Sequence, residues 1–218
     1  MHQKNELTRR ILDAGLVIVI RGGSADIAEQ MANACFEGGI TVMEVALTTP
    51  DGLKLIHKLQ QGLGPQGALI GAGTVLDAPT ARQAIDAGAR YIVTPAVDEA
   101  TIRLCNRYQI PSLTGAMTVR EIILALEAGA DIVKLFPGET LSPAFLKAVR
   151  APLPHAPLMP TGGVNAGNAA EWMAAGAVAL GVGGSVTAPA DQGDFAAVAC
   201  RARELVAIIR ATRALQNP

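Results

Sequence analysis

Three ionisable residues stand inside apolar runs: Arg21 closes Val17-Ile18-Val19-Ile20, Glu44 interrupts Val42-Met43-Glu44-Val45-Ala46, and Lys134 interrupts Ile132-Val133-Lys134-Leu135-Phe136. A charge buried in such a run costs on the order of several kcal/mol unless it is paired or neutral. Desolvation among aliphatic side chains favours an uncharged amine, and an uncharged amine is the form that attacks a carbonyl carbon to make a Schiff base. A nearby carboxyl such as Glu44 can move the protons that Schiff-base formation and carbon–carbon cleavage both require. The competing reading is a buried Lys–Glu pair that is architecture only.

Glycine-rich segments supply the other half of a site. Gly71-Ala72-Gly73-Thr74, Thr161-Gly162-Gly163 and Gly181-Val182-Gly183-Gly184-Ser185 each follow or end an apolar run. Backbone N–H groups that only glycine lets a ligand approach are a common way to hold phosphate, notably after the last two strands of a barrel. A tight turn is the alternative use of each pair.

The elements that must position these residues are announced by a recurring phrase, a helical stretch ending in Gly and followed at once by an apolar run. It occurs at residues 37–47, 86–95, 127–137 and 174–184. Gly supplies the left-handed residue that ends a helix, and the run after it is too short and too β-branched to be another helix. Strands are expected near 16–21, 41–47, 68–72, 91–94, 111–114, 132–136, 157–161 and 178–182. Helices lie between them, with caps at Ser24, Thr118, Ser142 and Asn165. Strand alternating with helix implies parallel pairing, and eight units fit an α/β fold, a single (β/α)8 TIM barrel. A doubly wound open sheet would share the alternation, but Arg21-Gly22-Gly23-Ser24 lacks the third Gly of a dinucleotide fingerprint.

Side chains alternate faces along a strand. Val17, Val19 and Arg21 share one face, as do Val42, Glu44, Ala46 and Thr48, and as do Ile132, Lys134 and Phe136. With the larger aliphatic sets turned to the helices, all three charges face one interior. One domain over 1–218 is expected: an N-terminal helix within 1–15 covering the barrel bottom, barrel strands over 16–186 and a C-terminal helix over 190–215. Arg201, Arg203, Arg210 and Arg213 on the last helix read as a solvated face.

Composition sets the background. Of 218 residues half are hydrophobic and 17% are charged, against roughly 25% charged in an ordinary domain. Strands buried on both faces explain the deficit. The balance excludes disorder, and a net charge of −1 offers no footprint for nucleic acid. No apolar stretch approaches the roughly 20 residues of a membrane span, and the polar N-terminus resembles neither a signal nor a transit peptide. Cys35, Cys105 and Cys200 are odd in number and far apart, which argues against a disulfide framework and for a reducing cytoplasm. His2, His57 and His155 are scattered, so no metal site is expected.

With these residues placed, the sequence resembles the class I 2-keto-3-deoxy-6-phosphogluconate aldolases and their relatives acting on 4-hydroxy-2-oxoglutarate or 6-phosphogalactonate. The resemblance rests on residues 38–50 (GGITVMEVALTTP), 70–77 (IGAGTVLD), 91–95 (YIVTP), 132–139 (IVKLFPGE) and 160–164 (PTGGV). It implies a (β/α)8 barrel, a homotrimer, and cofactor-free cleavage of a keto acid to pyruvate and a phosphorylated aldehyde. It carries the Schiff-base lysine onto Lys134 and the general acid/base onto Glu44. Thr74 matches a pyruvate-contacting threonine, Pro95 and Phe136 the cavity wall, and Gly162, Gly163, Gly184 and Ser185 the phosphate-binding segments. Where many members have an arginine that helps hold the pyruvate carboxylate, this chain has Thr48, which is expected at the pyruvate end of the site, and Arg21 is the candidate to hold that carboxylate, alone or with Thr74 amides. Rival readings are a metal-dependent aldolase, another phosphosugar barrel enzyme such as an isomerase, and a catalytically idle scaffold or sensor.

Overall fold

The computed structural model describes residues 3–216, so His2 lies outside the described residues. The elements run α1 (Gln3–Ala14), β1 (Leu16–Ile20), α2 (Ala25–Glu37), β2 (Val42–Ala46), α3 (Gly52–Gly62), β3 (Leu69–Gly73), α4 (Ala78–Asp86), β4 (Ile92–Val93), α5 (Glu99–Arg107) and β5 (Ser112–Ala116). They continue as α6 (Val119–Ala128), β6 (Ile132–Leu135), α7 (Pro143–Arg150), β7 (Leu158–Pro160), α8 (Ala169–Ala174), β8 (Leu180–Val182), α9 (Gly184–Thr187) and α10 (Phe195–Gln216). All eight strands are parallel, in the order β7-β6-β5-β4-β3-β2-β1-β8. A parallel bridge between Thr161 and Gly181 joins the two ends and closes the barrel. The strands fall where the sequence predicts them.

Gly39, Gly88, Gly129 and Gly176, which end the helical part of the four recurring phrases, all have positive φ. Each turns a helix into the next strand, so the phrase is the seam of a β/α unit. Ser24, Thr118 and Ser142 accept the expected capping bonds from Ile27, Glu121 and Phe145 N–H. Asn165 does not cap a helix. Its Oδ1 accepts from Gly167 N–H at 2.8 Å, closing a local turn, and α8 begins only at Ala169.

Helix α1 lies across the N-terminal ends of the strands. Leu7 and Ile11 are buried, Lys4 pairs with Asp131 at 2.9 Å just before β6, and Arg10 donates to Gly67 O just before β3. Arg201, Arg203 and Arg210 on α10 are exposed as expected, but Arg213 is not. Its guanidinium donates to Leu12 O, Asp13 O and Val178 O, tying α10 to the end of α1 and the start of β8. Among the described residues no helix is long and apolar enough to cross a membrane.

Candidate active site

Parallel register carries the inward face from strand to strand. Val19 pairs with Glu44, Glu44 with Gly71, Gly115 with Lys134, and Lys134 with Met159. Glu44 and Lys134 are therefore presented to the same interior from β2 and β6. Their side chains meet there, with Lys134 Nζ 3.8 Å from Glu44 Oε1. At that distance they form an ion-pair contact too long for a hydrogen bond. Glu44 is 2% exposed and Lys134 6%. Burial raises the Glu44 carboxyl above its ordinary range, a shift opposed by the positive charges of Lys134 and Arg21. The Lys134 ammonium also lies 4.9 Å from the Phe136 ring centroid, within cation–π range.

Two glycines on β3 make room in the interior, Gly73 for Glu44 and Gly71 for Tyr91. Gly71 and Gly73 face inward at i and i+2; a methyl at Gly73 would lie 2.7 Å from Glu44 Oε1, and one at Gly71 would lie 2.5 Å from Tyr91 Cε2. Thr74, next along, holds φ +58, a left-handed conformation costly for a β-branched residue. Such strain is found where surrounding structure imposes it, commonly at binding sites.

Above the pair opens a cavity of about 640 Å³, within the range of small-molecule sites. Its lining includes Arg21, Glu44, Thr74, Pro95, Lys134, Phe136, Gly162, Gly163, Gly184 and Ser185. These are all of the sequence-predicted site residues except one. Thr48 is exposed and lines a separate surface groove with Leu47, Pro50 and Thr80. Strand β2 ends at Ala46; Leu47 N–H still donates to Gly73 O as the last rung with β3, and Thr49 N–H then donates to Ala46 O, closing a turn that puts position 48 on the surface. The expectation that Thr48 contacts the pyruvate end is corrected on that ground.

Gly162 and Gly163, just beyond β7, have φ +100 and +67. The loop is fixed from outside by Asn165 and Asn168, both of whose side-chain amides donate to Gly163 O. Ser185 Oγ donates to Val164 O at 2.8 Å. Its hydroxyl proton is thus spent on holding the two loops together, and the N–H groups at the start of α9 are what this segment offers an anion.

Sequence reasoning missed three polar lining residues: Thr161, Glu139 and Asn165, the last read only as a helix cap. Thr161 Oγ1 is buried without a hydrogen-bond partner. Alternation along β7 puts it on the Met159 face, a signal that was available. Glu139 leans against Gly162 and Gly163, and a methyl at Gly163 would lie 3.1 Å from its Cγ. The buried cysteines, Cys35 and Cys105, have thiols pushed up to about 12 by burial and take no part in the cavity. His57 and His155 are exposed.

Comparison with known proteins agrees with this geometry. The 2-dehydro-3-deoxy-phosphogluconate aldolase of Pseudomonas aeruginosa is 38% identical over 213 residues, covering 94% of this chain and 95% of its own. A probable 2-dehydro-3-deoxy-6-phosphogalactonate aldolase of Rhizobium meliloti is 35% identical over 179 residues, 82% of this chain and 84% of its own. Among solved structures, the KDPG aldolase of Legionella pneumophila, with pyruvate captured as a covalent carbinolamine intermediate, superposes with a TM-score of 0.81 at 27% identity. That match covers 91% of this chain and 97% of the other. The sequence pattern of the KDPG and KHG aldolases matches residues 7–200, and the chain belongs to that family of carbon–carbon lyases.

Proposed function

We propose that the chain is a Schiff-base aldolase that cleaves 2-keto-3-deoxy-6-phosphogluconate to pyruvate and glyceraldehyde 3-phosphate, the work of one barrel domain. The observation that carries this reading is the buried Lys134–Glu44 contact on the cavity floor. The Lys134 ammonium passes a proton to Glu44, the freed amine adds to C2 of the keto acid, and Glu44 gives that proton to the carbinolamine hydroxyl, which leaves as water. The resulting iminium is the electron sink, so the step as written draws on no metal or cofactor. Glu44, now ionised, takes the C4 hydroxyl proton; the C3–C4 pair moves toward the iminium, and the aldehyde departs. The same proton returns to C3 of the enamine, and hydrolysis frees pyruvate and the amine.

Arg21 and Thr74 hold the pyruvate carboxylate, Pro95 and Phe136 wall the keto acid, and backbone N–H groups of Gly162, Gly163, Gly184 and Ser185 receive the phosphate. Supporting this division, each of these residues lines the one cavity. A second reading, cleavage of the phosphogalactonate isomer, is favoured by the 35% identity to the Rhizobium meliloti protein. A panel of the two phosphorylated acids and 4-hydroxy-2-oxoglutarate, with pyruvate release as readout, tests both. The highest kcat/KM is expected on the phosphogluconate. A preference for the galactonate isomer would transfer the assignment, and no pyruvate from any of the three would leave the idle-scaffold reading.

The assembly in this account is a cytoplasmic homotrimer. Leu76, which is 67% exposed, and the exposed Met117 and Val119 offer apolar surface at the ends of β3 and β5. Three free cysteines suit a reducing compartment. Light scattering should return three times the 22.5 kDa chain mass; a monomer would overturn the trimer.

A further inference from the structure

Tyr91 is completely buried, yet its hydroxyl has no hydrogen-bond partner. Buried phenols normally find one, because an unsatisfied hydroxyl is costly. The ring enters the barrel just ahead of β4 and occupies the space in front of Gly71, the residue in register with Glu44. Glu44 in turn fills the space in front of Gly73, two residues further on the same inward face. The charge of Glu44 acts on the phenol, adding to burial in raising its pKa well above the ordinary value. The charged or titratable groups facing Glu44 are Lys134 from β6, Arg21 from just after β1 and Tyr91 from ahead of β4; Gly71 and Gly73 on β3 bring none. Glu139 lines the same cavity from the loop after β6.

In the resting site Glu44 faces the Lys134 ammonium. Once Nζ is bonded to substrate carbon, the iminium keeps its positive charge but only one N–H, so the buried carboxylate faces one donor where the ammonium offered three. We infer that Tyr91 is a positioning residue for Glu44, its hydroxyl donating to the carboxylate during the imine stage of the reaction. The inference rests on the Schiff-base reading of the site. The unspent donor of the resting enzyme is then the one the ionised base needs when proton abstraction begins.

Exchange of pyruvate methyl hydrogens with deuterated solvent, followed by NMR across pH, reads Lys134 and Glu44 without any aldehyde. Tyr91→Phe keeps the ring and deletes only the hydroxyl. Removing a donor to the ionised form raises a carboxyl pKa, so the acid limb of exchange should move up by about one pH unit and the plateau fall about tenfold. Thermal unfolding should be unchanged or improved, since an unpaired hydroxyl is lost. Thr101→Val, which deletes another buried, unpartnered hydroxyl on α5 outside the cavity, should leave the limb in place. Superimposable profiles for Tyr91→Phe and the unmodified chain would overturn the role of Tyr91. Borohydride trapping of pyruvate is run on both proteins: adducts on both keep the site reading intact whatever the profiles do. Absence of an adduct on the unmodified chain would overturn the site reading and the Tyr91 role with it.

Discussion

Gly73 decides where the Glu44 carboxylate can sit, and that makes Gly73→Ala the sharpest probe of the site's geometry. The new methyl would lie 2.7 Å from Oε1, 2.9 Å from Cδ and 3.3 Å from Cγ of Glu44. Ordinary carbon contacts begin at about 3.5 Å, so the carboxylate must retreat by about 0.8 Å. The obstructing atoms are the end of a side chain rather than backbone, and the fold can yield; overpacking of this kind costs about 1–3 kcal/mol. Catalysis tolerates the same shift far less. Displacing a reacting group by about 1 Å costs on the order of 10²-fold in rate, about 2.7 kcal/mol of barrier. The assay is kcat for pyruvate release beside a thermal melt, with Gly62→Ala as control because a methyl there meets nothing within 4 Å. A folded Gly73→Ala protein with undiminished kcat would refute the assignment of Glu44 as the proton-transfer group at its observed position.

Glu139→Gln removes a carboxylate lying against Gly162 and Gly163, so KM for a phosphorylated acid should fall about fivefold at low salt while KM for 4-hydroxy-2-oxoglutarate stays; equal changes for both would show that Glu139 does not sense the phosphate end. Arg213→Ala deletes three bonds to the carbonyls of Leu12, Asp13 and Val178 and should cost about 2 kcal/mol, a drop of about 4–8 °C in Tm, with kcat intact; an unchanged Tm would contradict the tether. Because burial raises the Glu44 carboxyl and the reaction needs it ionised, the acid limb of kcat should lie above the ordinary value of 4.5. Activity falls as pH drops through that limb, and a limb at or below 4.5 would show that burial is not the dominant influence.

The barrel was legible because two periodicities agree. Gly39, Gly88, Gly129 and Gly176 mark helix ends by a backbone requirement, and the apolar runs after them alternate in step with the sheet. The same alternation brought Arg21, Glu44 and Lys134 to one cavity. It failed at Thr48, where it was carried two residues past the end of β2 into a turn closed by the Thr49 N–H bond to Ala46 O. Asn165 was misread because an Asx turn and a helix cap use the same side chain, and only the bond to Gly167 N–H tells them apart. Arg213 was misread because its partners lie 35 or more residues away. Nothing in a local pattern reports a contact of that separation.

Schiff-base cleavage requires Lys134 to bond covalently to the keto acid. Incubation with pyruvate, borohydride reduction and mass spectrometry of the digest tests it most directly. The expected result is a pyruvyl adduct on the peptide bearing Lys134, absent without pyruvate and absent from Lys134→Ala. An unlabelled Lys134 in a protein that still releases pyruvate from its substrate, or a label on another lysine, would contradict the account.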